Sequence, residues 1–252
     1  MDFPSVAGRI AVNVPDEATL LLKVAEKLEK REGFALATIN LDHLVKLKDD
    51  ADFARAYLLQ DLVVADGNPV VWMSQLADQP LELLPGSDLV LPLAKVAARL
   101  GVPVGLIGTT DDALERAAEA MKAEVPMLDI ACCIAPPMGF DPDSAAANTV
   151  LREAENAGAK LCFLALGAPK QEILAARGRT VTPDVGFVSI GAGLDFLAGS
   201  QKRAPAWVRA MAMEWFWRML QNPKRLSARY ARCFVILPGL TADAIKQRKQ
   251  PR

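Results

Sequence analysis

The sequence predicts an α/β protein: a Rossmann-like, mostly parallel sheet with helices on both faces, plus a basic helical C-terminal appendage. Three observations predict it. Short runs that are apolar throughout alternate with amphipathic stretches up to about Gly199, the pattern of strands buried on both faces between covering helices. Glycine and small polar residues cluster directly after the apolar runs, where helix N-termini and loop amides converge in a parallel sheet. Beyond Gly199 the composition turns basic and rich in tryptophan. The chain accordingly divides into an α/β core, 1–199, and an appendage, 200–252.

The elements follow in order. Residues 16–32 predict a helix, opened by Pro15 and acidic residues, carrying leucines and alanines at helical spacing and closed by Gly33. Residues 34–38 predict the first core strand, and after a helical stretch 62–65 predict the second. Further strands are expected at 104–107, 128–131, 161–166 and 185–190, with helices at 89–100, 112–124, 144–157 and 171–177 between them. In the appendage, 207–220 hold three of the four tryptophans together with Met211, Met213, Phe216 and Met219, interrupted by Arg209, Glu214 and Arg218. A short apolar run, 234–237, is expected to end at Pro238-Gly239. This segment either packs on the core as an ordinary C-terminal helix or lays its apolar residues into a membrane interface while Arg and Lys engage lipid phosphates.

Composition narrows the function classes. At 252 residues, 52% hydrophobic and 23% charged, the chain can bury a sizeable core, and the apolar content excludes an intrinsically disordered protein. No apolar run approaches the ~18 residues of a membrane-spanning helix, and residues 1–14 predict no secretory signal. Cys132, Cys133, Cys162 and Cys233 form no C-x-x-C pair, which predicts neither a disulfide framework nor a structural zinc site and fits a reducing, cytoplasmic compartment. A His-rich metal site is excluded because His43 is the only histidine, and it is expected to serve a local structural role after a strand. Carboxylates, amides and arginines are left to carry any chemistry.

The net charge of −1 hides an asymmetry: 201–252 hold 12 Lys/Arg and 2 Asp/Glu, so the appendage carries +10 and the core −11. A tail this basic seeks phosphates, on a lipid surface, a nucleic acid or a diphosphate ligand. The acidic core argues against nucleic acid.

Five turns carry the candidate site residues: Thr38 and Asn40, Asp66-Gly67, Gly108-Thr109, Gly167 to Gln171, and Gly191 to Asp195. Any βα turn uses glycine, but five turns with Thr, Asn, Asp and Gln predict a binding site along one rim. Asp66, a lone carboxylate directly after an apolar strand, suits a general base, although Asp-Gly is also a common turn. In Gly167-Ala-Pro-Lys-Gln-Glu172 a strand ends in glycine and a helix opens, placing Gln171 and Glu172 in its first turn. Glu172 complements the helix dipole there; Gln171 is expected to face a ligand. Neither Gly105-Leu-Ile-Gly108 nor Gly191-Ala-Gly193 completes a G-x-G-x-x-G turn, so a dinucleotide is weakly supported. Asp141-Pro-Asp143 matches D-x-D formally, but its proline and the helix that follows suit a turn better than a chelate.

In order along the chain stand Thr38-Ile-Asn40-Leu-Asp42-His43, Ala65-Asp66-Gly67, Gly86-Ser-Asp88, Gly167-Ala-Pro-Lys-Gln-Glu172, Gly191-Ala-Gly-Leu-Asp195-Phe196, Arg203-Ala-Pro205 and Glu214-Trp215, then Arg218, Pro223, Arg225, Arg229 and Tyr230. This set resembles the WecG/TagA/CpsF family of bacterial glycosyltransferases over roughly 12–237. The resemblance implies a metal-independent, inverting enzyme without a cofactor. Such enzymes move a sugar, often N-acetylmannosamine or its uronate, from a UDP-sugar donor to a polyprenyl-pyrophosphate-linked sugar acceptor in cell-surface polysaccharide biosynthesis. It implies Asp66 as the catalytic base and Thr38, Asn40 and Gln171 as pocket residues. It also implies Arg218, Arg225 and Arg229 in an appendage that closes over the site at an anionic membrane surface. With Gly167, Gly191 and Asp195 of the glycine-rich turns, these complete the expected substrate-binding set. Gln75 and Leu83 stand in a segment where the family commonly carries arginines: either the donor sugar differs, for instance by lacking a carboxylate, or the appendage alone holds the phosphates.

Two other classes stay open on composition. The glycine-rich turns would also suit an NAD(P)-dependent oxidoreductase, and the basic tail a nucleic-acid-binding protein. A homo-oligomer is equally open.

Overall fold

The computed structural model describes residues 1–201, 204–205, 207–208, 211, 217, 219–220 and 223–248, with the backbone alone at 223–226 and 228. An N-terminal hairpin of β1 (Asp2–Ser5) and β2 (Gly8–Ala11) precedes α1 (Glu17–Glu29). There follow β3 (Phe34–Ile39), α2 (Leu41–Asp49), α3 (Ala51–Leu58), β4 (Leu62–Ala65), α4 (Asn68–Leu76), α5 (Gly86–Leu100), β5 (Val104–Gly108) and α6 (Asp111–Glu124). The chain continues through β6 (Ile130–Ile134), α7 (Ala145–Asn156), β7 (Leu161–Ala165), α8 (Lys170–Val181), β8 (Gly186–Ser189) and α9 (Gly193–Leu197) to a long α10 (Pro223–Arg248).

Six strands form one sheet in the order β4-β3-β8-β7-β5-β6, parallel at every pairing. Alternation along each strand sends side chains to opposite faces. Phe34 and Leu36 join Leu62, Val64, Leu106, Phe163 and Val188 in a core covered by α1, α5, α6 and α9. Ala37, Ile39, Val63 and Ala65 face the other way, toward the hairpin, α2, α3, α4 and α10. Ala35, Leu164 and Phe187 meet α7 and α8 further along that second face. Both faces are therefore covered, which accounts for strands apolar throughout. Each fully buried Leu, Val or Phe contributes about 1.5–3 kcal/mol, so the sheet cores hold the rim in place.

Several helix starts were written in the sequence. Asp16 accepts from the Thr19 amide at 2.7 Å, Asn40 from His43 at 3.1 Å and Asp50 from Phe53 at 2.9 Å, capping α1, α2 and α3. Asp141 accepts from the Asp143 amide at 3.0 Å, the turn expected of Asp-Pro-Asp before α7.

Differences from the sequence expectations have local causes. The hairpin was not anticipated, because its strands are four residues long and anchor only through Phe3 and Ile10. The strand expected at 128–131 lies at 130–134: Leu128 is buried in the preceding turn, and the Asp129 carbonyl accepts from Val104. The apolar run at 234–237 does not end at Pro238; α10 continues through it. Proline removes one N–H on the solvent side, while Leu240 and Ala244 are buried in the second-face core and the Thr241 hydroxyl donates to the Leu237 carbonyl at 2.9 Å. The C-terminal half of α10 is thus packed on the core. Its Gln247 exchanges bonds with the Asp2 backbone, and Asp243 pairs with Arg9 at 2.7 Å. Most of 207–220, Arg218 included, lies outside the described residues. Among the described residues no helix is long and apolar enough to cross a membrane.

Candidate active site

The C-terminal ends of β4, β3, β8, β7 and β5 lie side by side, so the five predicted turns form one continuous rim. At its β4 end the Thr38 hydroxyl donates to an Asp66 carboxylate oxygen at 3.3 Å. Thr38 is 3% exposed and Asp66 half-buried. The register makes this contact available: Thr38 sits opposite Val64 and Ile39 opposite Ala65, and the Asp66 amide donates to the Ile39 carbonyl at 2.8 Å. Gly67 follows with φ +116, a backbone region that side chains strain to adopt. The turn passes so close to Asn40 that a Cβ on Gly67 would lie 3.7 Å from the Asn40 Cβ. Asn40 itself caps α2 with its side-chain oxygen.

Behind Thr38 lies a buried network. The Tyr57 hydroxyl donates to the Thr38 carbonyl at 2.8 Å, and His43 Nδ1 lies 2.7 Å from the Tyr57 oxygen. With the hydroxyl proton spent on Thr38, Nδ1 is the donor in that pair. Burial pulls His43 down to about 3 and pushes the Tyr57 phenol well above its ordinary value. His43 is therefore a neutral structural residue that backs the strand end, as the sequence predicted.

The middle of the rim is built by Gln171. Its side chain is 2% exposed, accepts from the Gly191 amide through Oε1 at 3.1 Å and donates through Nε2 to Glu172 at 2.8 Å. Gln171 thus ties the turn after β7 to the turn after β8. Gly167 and Gly191 both take positive φ, +72 and +58, at these turns. Glu172, in the first turn of α8, is fully buried, not a surface complement to the helix dipole. Burial raises its carboxyl to about 7, against the lowering effect of the Gln171 hydrogen bond and the Lys46 charge.

Asp195 lies farther along, across β7. It accepts from the Thr109 hydroxyl at 2.6 Å and from Gln201 at 3.1 Å, closing the β5 and β8 turns onto the start of the appendage. Helices α4, α5 and α8 begin with no side-chain cap; carbonyls of the preceding turns accept from Val70, Asp88 and Gln171, and the helix dipoles favour an anion at these starts. The α5 start is pressed against the rim: a Cβ on Gly86 would lie 3.0 Å from the Ile190 Cα.

Arg229, in the first turns of α10, meets the first turn of α2 at Asp42, two residues after Asn40. Its Nε lies 2.7 Å from Asp42 Oδ1, while Asp42 Oδ2 lies 2.9 Å from Lys46 Nζ. Lys46 also donates to the Ala168 carbonyl at 3.1 Å, next to Gly167. Burial would raise the Asp42 carboxyl, yet the Lys46 hydrogen bond and the Arg229 and Lys46 charges hold it below its ordinary value. Sequence reasoning named Arg229 but passed over Asp42 and Lys46, although these two stand at the i,i+4 spacing of a helical ion pair. Of the other expected arginines, Arg218 lies outside the described residues and Arg225 is described in its backbone alone. Gln75 and Leu83 are both exposed.

Comparison with known proteins places this rim in context. The chain is similar to the N-acetylglucosaminyldiphosphoundecaprenol N-acetyl-beta-D-mannosaminyltransferase of Bacillus subtilis (strain 168), with 27% identity over 220 residues, covering 84% of this chain and 83% of that protein. A family model described as the glycosyl transferase WecG/TagA/CpsF family matches residues 6–252. The chain belongs to the WecG/TagA/CpsF family, and it is a glycosyltransferase.

Proposed function

We propose that the protein transfers an N-acetylmannosamine-type sugar, or a related hexose, with inversion from a UDP-sugar to a sugar on a polyprenyl diphosphate. The reaction belongs to cell-surface polysaccharide biosynthesis. The observation that carries this reading is the Thr38–Asp66 pair on the rim of a chain in this family. The donated hydroxyl orients the Asp66 carboxylate, which takes a proton from the acceptor hydroxyl. As that proton moves to Asp66, the acceptor oxygen attacks the anomeric carbon. The bond from that carbon to the diphosphate breaks on the opposite face, and UDP departs with the bonding pair. The named activity of the Bacillus subtilis relative supports both the sugar and the lipid diphosphate acceptor.

The departing diphosphate needs positive charge. Uncapped starts of α4, α5 and α8 and the guanidinium of Arg229 supply it without a metal; Arg218 and Arg225 are assigned the same task. Thr38, Asn40, Gly167, Gln171, Gly191 and Asp195 shape the donor site, Gln171 by bracing two turns. The basic appendage, with Phe234 and Val235 exposed on α10, holds the protein peripherally on an anionic membrane surface where the acceptor resides.

The test is a panel of UDP-sugars offered with synthetic polyprenyl-diphosphate sugars, product anomer being read by NMR. Transfer from UDP-N-acetylmannosamine with inversion is expected. Retention of configuration, or turnover only with NAD(P), would reject the reading.

A further inference from the structure

Asp42 stands out among the groups that the transfer mechanism leaves unused. Its side chain is 9% exposed yet ionised, and two cations from different elements meet on it: Lys46 from its own helix and Arg229 from α10. The two contacts are not equivalent. Lys46 continues to the Ala168 carbonyl, so the carboxylate is anchored to the turn after β7. Arg229 approaches through Nε, a buried atom paired by charge rather than by an aligned hydrogen bond, while 39% of its side chain remains exposed. A guanidinium approached at Nε has a second edge, the two terminal amino groups, of the kind that receives phosphate oxygens in pairs. Asn40, two residues before Asp42, lies against Gly67. Through Lys46 the ion-paired carboxylate is tied to the turn after β7, one of the turns of the rim.

We propose that Asp42 is the positioning residue for the diphosphate of the nucleotide. Its ion pair with Nε restrains the Arg229 side chain, so that an α10 guanidinium is held at the first turn of α2 before the nucleotide arrives. This rests on the reading of Arg229 as a diphosphate ligand. Asp42 touches no substrate itself. It replaces the entropy that a free arginine loses on binding with a geometry set during folding.

The experiment measures UDP binding to the full chain by calorimetry for the wild type, Asp42→Asn, Arg229→Ala, Arg229→Lys and the double variant Asp42→Asn/Arg229→Ala. Loss of a charge-assisted contact to phosphate predicts an affinity drop of about 10- to 100-fold for Arg229→Ala. Asp42→Asn is expected to weaken UDP about fivefold. The same substitution should do nothing further in the Arg229→Ala background, because Asp42 acts through that arginine. With the donor that supports transfer, KM should rise in Asp42→Asn while kcat stays within about twofold, a split that general loosening of the fold would not produce. Arg229→Lys keeps the charge but has no Nε edge, and is expected to lose most of the affinity; it carries the test if Asp42→Asn fails to fold. Wild-type affinity in Asp42→Asn or Arg229→Lys, or additive losses in the double variant, would overturn the proposal while UDP binding by the wild type stands. A wild type that ignores UDP would instead reject the nucleotide reading, and the role of Asp42 with it.

Discussion

The Thr38 hydroxyl points along the rim to Asp66, joining neighbouring parallel strands by a side-chain bond of 3.3 Å. A parallel ladder leaves strand ends to be held by whatever follows them. Here the hydroxyl of one strand fixes the carboxylate of the next, and the buried Tyr57 phenol holds Thr38 from behind. Asp66→Asn keeps size and hydrogen bonding but cannot accept the acceptor proton. Turnover is expected to fall by about 10²- to 10⁴-fold while UDP affinity is kept. Thr38→Val removes only the orienting donor and should reduce kcat by about 10-fold. Steady-state kinetics beside UDP calorimetry check both; unchanged turnover in Asp66→Asn removes it as the base.

How legible this was depended on whether a signal was local. The parallel sheet was readable because its strands are buried on both faces, and the rim because glycine and small polar residues follow those strands directly. Glu172 was misread because first-turn acids usually face water, and only the packing of α8 against β3, β7 and β8 shows that this one does not. Gln171 was expected to face a ligand; its amide lies buried between two turns, and no sequence spacing encodes the Gly191 amide as its partner. Asp42 was passed over for the same reason, since its partner Arg229 comes 187 positions later. Pro238 misled in the opposite direction: a breaker in isolation, it is tolerated in α10 because burial of Leu240 and Ala244 outweighs one missing bond.

Glu172 makes stability depend on pH in a defined sense. Its folded value is raised from 4.5 to about 7, so the native state holds the proton more tightly than the unfolded chain. The resulting stabilisation is complete below about pH 4.5, fades through pH 5–7 and is gone above it, a difference of about 3 kcal/mol at most. Glu172→Gln removes the titration. In urea unfolding, the variant should match or fall slightly below the wild type at pH 5 and exceed it at pH 8. Parallel pH profiles for the two proteins would show that Glu172 does not titrate in this window.

Leu240 tests the packing of the C-terminal helix. It lies 2% exposed among the residues of the second-face core. Leu240→Ala should cost about 2–5 kcal/mol and lower Tm. Truncation after Gly199 should do more: it uncovers this core surface as well as removing Arg229, so loss of transfer is expected together with a lower Tm. Denaturation curves and transfer assays read both. A truncated chain with full stability and full activity would reject a core role and a site role for the appendage alike.

The outer surface of the same helix carries the membrane prediction. Phe234 and Val235 are 55% and 79% exposed on α10, with Arg232 and Lys246 exposed on the same helix. Apolar side chains that enter the lipid interface gain about 1.5–3 kcal/mol each when fully buried, and each nearby cation adds about 1 kcal/mol on an anionic surface. The double substitution Phe234→Glu/Val235→Glu removes the first contribution and opposes the second, without touching the buried stripe of Leu240 and Ala244. Sedimentation with phosphatidylglycerol vesicles should show partitioning reduced by at least about 10-fold, with Tm unchanged. Raising the salt from 0.1 to 0.5 M should weaken binding of the wild type, because surface charges are screened beyond roughly 4 Å at the higher concentration. Transfer to a short-chain, water-soluble acceptor should survive the double substitution, since neither side chain is assigned to substrate binding. Partitioning equal to the wild type would show that α10 does not meet the membrane through this surface.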